Sequence, residues 1–585
     1  MVPIPERFAI RRTLCAATTA LPVLAYALVC LPAAAQTLTQ SAAQSTNSST
    51  LPGSTFNGGL GIGVPQNTAL GGGLVNLRDL VDSPVLQGQE RQFQWNASIA
   101  AYAGYTDNVG QSGGGYAQGN QIASTEEHIT PSIGVTMDAN HLTGSLTYSP
   151  DFRFYNDAPR YNRISQNLGA QALATLVEDQ LFVQATAGAG PASASPLSTY
   201  NNNRLISNQS QTQVYSYSIM PYLVHRFGDF ATLRASYAYS GSTFDNSAYN
   251  NTVPNNANAR LNNSGSATQT EDVQLTSGAD FETFNHALEA SSSQFLGGGS
   301  ERGGYRNSVT YTLNYALNRF ITLIGTIGYE SVHYSGTNIG GVQTSRDYSS
   351  NGLIGQAGVK YTPNEDSDLS VLYGHIDGGD SLTATGNLRP TGRLSLSLTS
   401  STALTTNGQD ASFGGVGSLN GGGLGAPSGV PTAYGFGAYG ANNQLYRLTR
   451  TSGSAIYALD RDSFGLTLSY SQTSSPNATA AGVKSGLVAG SSTNSLASLT
   501  WQHTLTEDIS SSVGVNYGQS RYNGRSQPIS GATVRVSDQI NQSLSAQLLY
   551  TYAREQGYLR SQFGAVPSNQ VQSSNEVLVG LIQTF

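Results

Sequence analysis

From Leu142 to Tyr155 the chain alternates without a break. Leu142, Gly144, Leu146, Tyr148, Pro150, Phe152 and Phe154 fall on one face of an extended strand, and Thr143, Ser145, Thr147, Ser149, Asp151, Arg153 and Tyr155 on the other. This run exceeds the usual globular strand of about 5–6 residues and suits a tilted transmembrane strand of about 9–11. Ile129 to Asp138 alternates in the same way, and Ala139-Asn140-His141 between the two reads as a tight turn. The unit recurs. Short turns are expected near Glu178-Asp179, Gly228-Asp229, Glu282-Thr283, Asn318-Arg319, Asn364-Glu365, Arg461-Asp462 and Thr506-Glu507. Long polar stretches separate the hairpins at 107–124, 190–212, 240–270 and 335–350. Short and long connections sorted in this way predict an all-β protein, a transmembrane antiparallel up-and-down β-barrel with tight periplasmic turns and long outer loops.

The pattern supports about 18–22 strands, from 92–105 to 574–585. Weaker segments at 381–388 and 530–537 bring the best count to 22, an even number that leaves both ends on the periplasmic side. Residues 91–585 therefore read as the barrel.

The two ends carry addresses. Arg7, Arg11 and Arg12 precede an apolar run from Leu14 to Leu31, and Ala33-Ala34-Ala35 offers small residues for cleavage before Gln36. Residues 1–35 read as a signal peptide. Residues 36–90 are rich in Ser, Thr, Asn and Gly and read as a low-complexity periplasmic or lumenal segment. At the other end Val577, Val579, Leu581 and Phe585 share one strand face. This resembles the closing strand of bacterial outer-membrane barrels, which implies recognition by the barrel-assembly machinery. Gln583 departs from that signature.

Composition narrows the class. Charged residues are 11% and there are only two lysines, Lys360 and Lys484, whereas a soluble surface is about a quarter charged. Gly (66) and Tyr (32) are abundant, which suits aromatic girdles at the membrane interfaces. Tyr148, Tyr237, Tyr311, Tyr470 and Tyr550 are candidates for them. The net charge of −7 argues against nucleic acid as a partner. Both cysteines, Cys15 and Cys30, lie in the leader, so no thiolate chemistry is expected after cleavage.

Catalytic constellations are weak. Gly379-Asp380-Ser381-Leu382 resembles a lipase and esterase motif, but the only Asp-x-x-His, Asp138 to His141, lies upstream in a turn. The seven histidines are scattered singly and read as solvated or interfacial, with no metal or cofactor expected. The residues singled out are charges. Asp151 and Arg153 share a polar face, and Arg226, Arg234 and Arg393 lie in or at the ends of strands. All five are candidate lumen-facing residues that either set selectivity or brace the wall.

Tyr105-Thr106-Asp107-Asn108, Pro131-Ser132-Ile133-Gly134-Val135, the Tyr-x-Pro-x-Phe core of 142–155, and Phe464 to Tyr470 together resemble the outer-membrane β-barrel porin families of proteobacteria, the β-barrel porin 2 type above all. The resemblance implies the outer membrane of a Gram-negative bacterium, with lipid and lipopolysaccharide as surroundings. Some members accompany exopolysaccharide production, which leaves polysaccharide open as a partner. A TonB-dependent transporter, by contrast, carries a folded plug well over twice as long as 36–90. The expected function is a porin-like channel for passive passage of small solutes. An exopolysaccharide export or assembly component is the alternative, and a barrel-type hydrolase ranks third. A glycine-rich stretch from Gly414 to Gly440 is expected to be an outer loop.

Overall fold

A computed structural model describes residues 92–109, 122–193, 200–201, 204–205, 211–245, 265–339, 342–406, 408–409, 444–480, 491–522, 525–556, 560–561, 564–565 and 571–585. The expected signal peptide (1–35), the low-complexity segment (36–90) and the loop Gly414 to Gly440 lie outside the described residues.

The chain forms one closed antiparallel barrel of 22 strands. In chain order they begin with β1 (Gln92–Thr106), β2 (Ser124–Ala139), β3 (Leu142–Tyr148 continued by Asp151–Tyr155), β4 (Arg163–Ser165 continued by Leu168–Val177), β5 (Leu181–Ser193), β6 (Gln211–Phe227) and β7 (Ala231–Asp245). There follow β8 (Ser266–Ser277), β9 (Phe284–Phe295), β10 (Tyr305–Ala316), β11 (Ile321–Tyr334), β12 (Tyr348–Asn364), β13 (Ser367–Ile376), β14 (Gly379–Thr391) and β15 (Leu394–Thr406). The wall is completed by β16 (Leu445–Ala458), β17 (Asp462–Ser474), β18 (Ser491–Thr504), β19 (Ile509–Tyr522), β20 (Arg525–Gln539), β21 (Leu544–Gln556) and β22 (Val571–Thr584). The weak segments 381–388 and 530–537 are full strands, β14 and β20.

Each strand pairs with its chain neighbour, and β22 returns to pair with β1 from Ser98↔Thr584 to Thr106↔Glu576. The closure leaves no strand of the ring without a partner on each side, so the N–H and C=O groups of the wall are satisfied by pairing along the ladders. Outward positions are apolar and exposed. Leu353 is 78% accessible and Ile327 68%, whereas inward Thr326 and Glu330 on the same strand as Ile327 are each 1% accessible. A single-layer wall with an apolar outer face is stable only in a membrane, and a closed antiparallel barrel of this kind belongs to the bacterial outer membrane. Val577, Val579 and Phe585 lie exposed on that outer face, while Leu578 is fully buried.

The connections are sorted. One rim carries short turns, including 140–141, 178–180, 228–230, 365–366 and 459–461. The other carries the long connections, with two exceptions, residues 523–524 between β19 and β20 and the β13–β14 hairpin. Between β13 and β14 it has only Asp377-Gly378, both with positive φ (54° and 66°). An Asp-Gly pair of this conformation is the tight hairpin turn that matches strand twist. The wall is therefore low at this point on its outer side.

Candidate functional site at the outer mouth

Beside the low hairpin the wall comes apart. The β14–β15 ladder starts only at Ala384↔Ser400. Above it, Gly379–Thr383 pair with β13 alone, and Ser401–Thr406 pair with β16 alone, up to Thr406↔Leu445. Above Ser400, β15 thus leaves β14 while staying joined to β16, which remains paired with β17 up to Arg447, and the β15–β16 ribbon lies over the low hairpin. Its burial shows the change. A wall strand is exposed at every second residue, but Leu404, Thr405 and Thr406 are all buried, as are Gln444, Leu445 and Tyr446.

The ribbon packs on the outer ends of β9 to β12. Phe295, Val332, Tyr334, Leu404 and Leu445 form one apolar cluster, with Tyr348 against it. Phe295 and Tyr334 stack with ring centroids 4.9 Å apart. Polar groups in this dry region must find partners, since each left alone costs about 1–3 kcal/mol. Arg306 of β10 pairs with Asp377 at 2.8 Å and donates to the Leu404 carbonyl at 3.2 Å. Arg447 of the ribbon donates to the Asp377 carbonyl at 2.6 Å, and the Tyr348 hydroxyl to the same oxygen at 2.7 Å. The Gly378 N–H donates to Glu330 Oε1 at 3.3 Å. The low turn is thus roofed by the ribbon.

Three further contacts hold the ribbon's end. The Thr406 hydroxyl donates to Glu301, in the β9–β10 loop, and the Tyr334 hydroxyl donates to Gln409 Oε1 at 3.1 Å. Ser242, at the outer end of β7, donates to the Gly408 carbonyl at 2.8 Å. Glu301 is fully buried, and burial pushes its carboxyl from 4.5 up to about 7. An arch crosses the same sector. The β11–β12 loop meets the β17–β18 loop through Arg346 N–H to Asn477 O (2.9 Å), Asn477 Nδ2 to Arg346 O (2.6 Å) and Thr479 N–H to Thr344 O (3.0 Å).

The five charges singled out from sequence are spread widely. Asp151 and Arg153 come together as an ion pair at 3.2 Å on β3, with Arg153 buried. Arg234 lies with its guanidinium 5.1 Å from the Tyr222 ring on β6. Arg226 sits exposed near the short-turn rim, and Arg393 lies in the β14–β15 turn, 3.7 Å from Asp460. None of the five belongs to the mouth cluster. Sequence reading missed Glu301, Arg306, Glu330, Asp377, Thr406 and Arg447. The Asp-Gly pair was the available signal, since it marks a short turn where a long loop is due.

The histidine reading needs correction. His128 is 2% accessible, and its Nε2 lies 3.1 Å from Glu126 Oε2. Barrel closure then brings Glu576 beside them, a residue too distant in sequence for any spacing rule. The lipase-like motif is scattered instead. Ser381 is buried on β14 near the outer rim, and His141 lies in a turn at the opposite rim.

No protein-family model matches the chain, and no curated protein matches it. Solved structures do. The FrpB iron transporter from Neisseria meningitidis (F5-1 variant) aligns over 86% of this chain and 83% of its own, with 10% identity and a TM-score of 0.45. The siderophore receptor PiuA from Acinetobacter baumannii covers 84% and 82%, with 10% identity and a TM-score of 0.43. The ferric-catecholate import receptor Fiu from E. coli covers 84% and 81%, with 11% identity and a TM-score of 0.44. The chain has the fold of an outer-membrane β-barrel. The expectation of a passive porin-like channel, with its exopolysaccharide alternative, is corrected here. The solved barrels it aligns with are named as an iron transporter, a siderophore receptor and an import receptor, not as porins or export components. At this barrel's own mouth, Leu404–Thr406 and Gln444–Tyr446 are buried on both faces.

Proposed function

We propose that this outer-membrane barrel is a ligand-admitting transporter whose own β15–β16 ribbon closes part of the outer mouth. A solute then enters by displacing the ribbon rather than by free diffusion. One observation carries the reading: Ser401–Thr406 leave the β14 ladder and are held instead by side chains, Arg306 on the Leu404 carbonyl and Glu301 and Gln409 on Thr406. A ribbon that served only as wall would keep its ladder and alternate in exposure.

Planar-bilayer recording tests it. Replacing 401–446 by a short linker that joins Ser400 to Arg447 removes the ribbon above the wall and keeps the β16–β17 ladder. The shortened barrel is expected to show steady conductance several-fold above the full chain. Equal conductance in the two would overturn the reading.

Three finer assignments belong to the same proposal. The inward charges Asp151, Arg153 and Arg234 shape the field below the ribbon. Lipopolysaccharide surrounds the outer half of the barrel, and β22 with Phe585 is the segment offered to the barrel-assembly machinery. The likeness of 142–155 and 464–470 to β-barrel porin 2 sequences is proposed as a relation of fold, with no open pore implied.

A further inference from the structure

We propose that Glu126, His128 and Glu576 form a site for a first-row divalent metal ion of the zinc type on the interior of the closing seam. The three side chains come from β2 and β22, which flank β1. Register explains how they meet. Glu126 is opposite Gly104 on β1, and Glu576 is opposite Thr106, two residues further along the same face of β1. One ligand atom from each residue lies within 4.8 Å of the others. His128 Nε2 and Glu126 Oε2 are 3.1 Å apart, close to the roughly 3.3 Å that separates two ligands about 2.0 Å from a tetrahedral metal.

Two observations turn this cluster into a cation site. Glu126 is 1% accessible, and its second oxygen, Oε1, is buried without a hydrogen-bond partner. A carboxylate oxygen in that state lacks the compensation that burial demands. Arg153 faces the same cluster, and Glu126 and Glu576 both act on it, but its close ion pair is with Asp151. One imidazole and two carboxylates, without sulfur, suit zinc, iron(II) or manganese(II) rather than a soft ion, and leave a fourth position for water. A bound ion would tie β2 to β22 across β1 and so pin the barrel's first and last strands.

The test uses the full barrel, purified without a polyhistidine tag, and zinc alone. Competition with a chromophoric chelator is expected to show a single zinc ion per chain. His128→Gln and the near-isosteric Glu576→Gln should each weaken it at least ~10-fold, the loss seen when even an outer partner of a ligand is removed. Asp460→Asn, an exposed acid near the opposite rim, should leave it unchanged. Zinc should also raise the temperature at which the folded gel band is lost in the native chain, and not in Glu576→Gln. Uptake that persists when His128→Gln and Glu576→Gln are combined, or that falls equally in Asp460→Asn, would overturn the site.

Discussion

The seam and the ribbon meet opposite ends of one problem. At the seam, β22 and β1 share a continuous ladder, and side chains only seal it. Asn575 donates two bonds of 2.7 Å to the Asp107 carboxylate, from its backbone N–H and its Nδ2, and Asn108 Nδ2 donates to the Ser573 carbonyl at 3.0 Å. At the ribbon the ladder stops at Ser400, and side chains from four other strands take over. Backbone pairing gives a joint that tolerates sequence change, because every residue supplies the same groups. Side-chain pairing gives a joint that depends on a few residues and can open. The barrel uses the first where it must stay shut and the second where something must pass.

This contrast can be broken most forcefully at Arg306. Arg306→Ala leaves the buried Asp377 carboxylate without its partner, a loss of about 3–5 kcal/mol in comparable buried pairs. Hydrogen exchange at Ser401–Thr406 and Leu445–Arg450 should accelerate strongly while the β1–β22 amides stay protected. Acceleration at both would mean that ribbon and wall are one cooperative unit.

Next in size is Glu301. Burial raises its carboxyl from 4.5 to about 7 in the closed mouth, so the closed form holds a proton that an open mouth releases. Its contribution to closure is complete below about 4.5, falls as pH rises towards about 7, and is flat above. The span is about 3 kcal/mol at most. Open probability in a bilayer should therefore rise between pH 5 and pH 7.5, and Glu301→Gln should flatten that slope. An unchanged slope in the variant would remove Glu301 from the closure.

The smallest effect sharpens the seam side. A Cβ at Gly580 would collide with the Tyr102 ring, whose hydroxyl donates to Gln547 at 3.2 Å. Gly580→Val should lower the temperature of gel-band loss by the equivalent of about 1–3 kcal/mol, the usual cost of overpacking. Ribbon exchange should not change. If it does, the two joints are mechanically linked.

The wall was legible because its information is local. A strand such as 142–155 declares its inner and outer faces through residues two apart, and tight turns such as Glu178-Asp179 punctuate it. Even the weak segments 381–388 and 530–537 fell on strands. Legibility ends where periodicity ends. Residues 240–245 and 348–351 read as loop because they are polar, yet they extend β7 and β12, since the neighbouring strand supplies their hydrogen bonds. The mouth was hidden for a different reason. Arg306 meets Leu404 and Glu301 meets Thr406 across about a hundred residues of chain, and no local pattern marks such pairs. The same holds for Glu576 beside His128, a meeting created by closure itself.

The low Asp377-Gly378 turn has one more consequence, a mechanical one. Because Ser401–Thr406 share no ladder with β14 and Leu445–Tyr446 none with β17, moving the tip of the ribbon breaks no ladder bond to the wall beside it. The barrel is a ring of fixed circumference with a short cantilever rooted at the Leu404↔Arg447 pair. Its aperture can therefore change while its diameter does not, and the membrane around it feels no strain when the mouth opens.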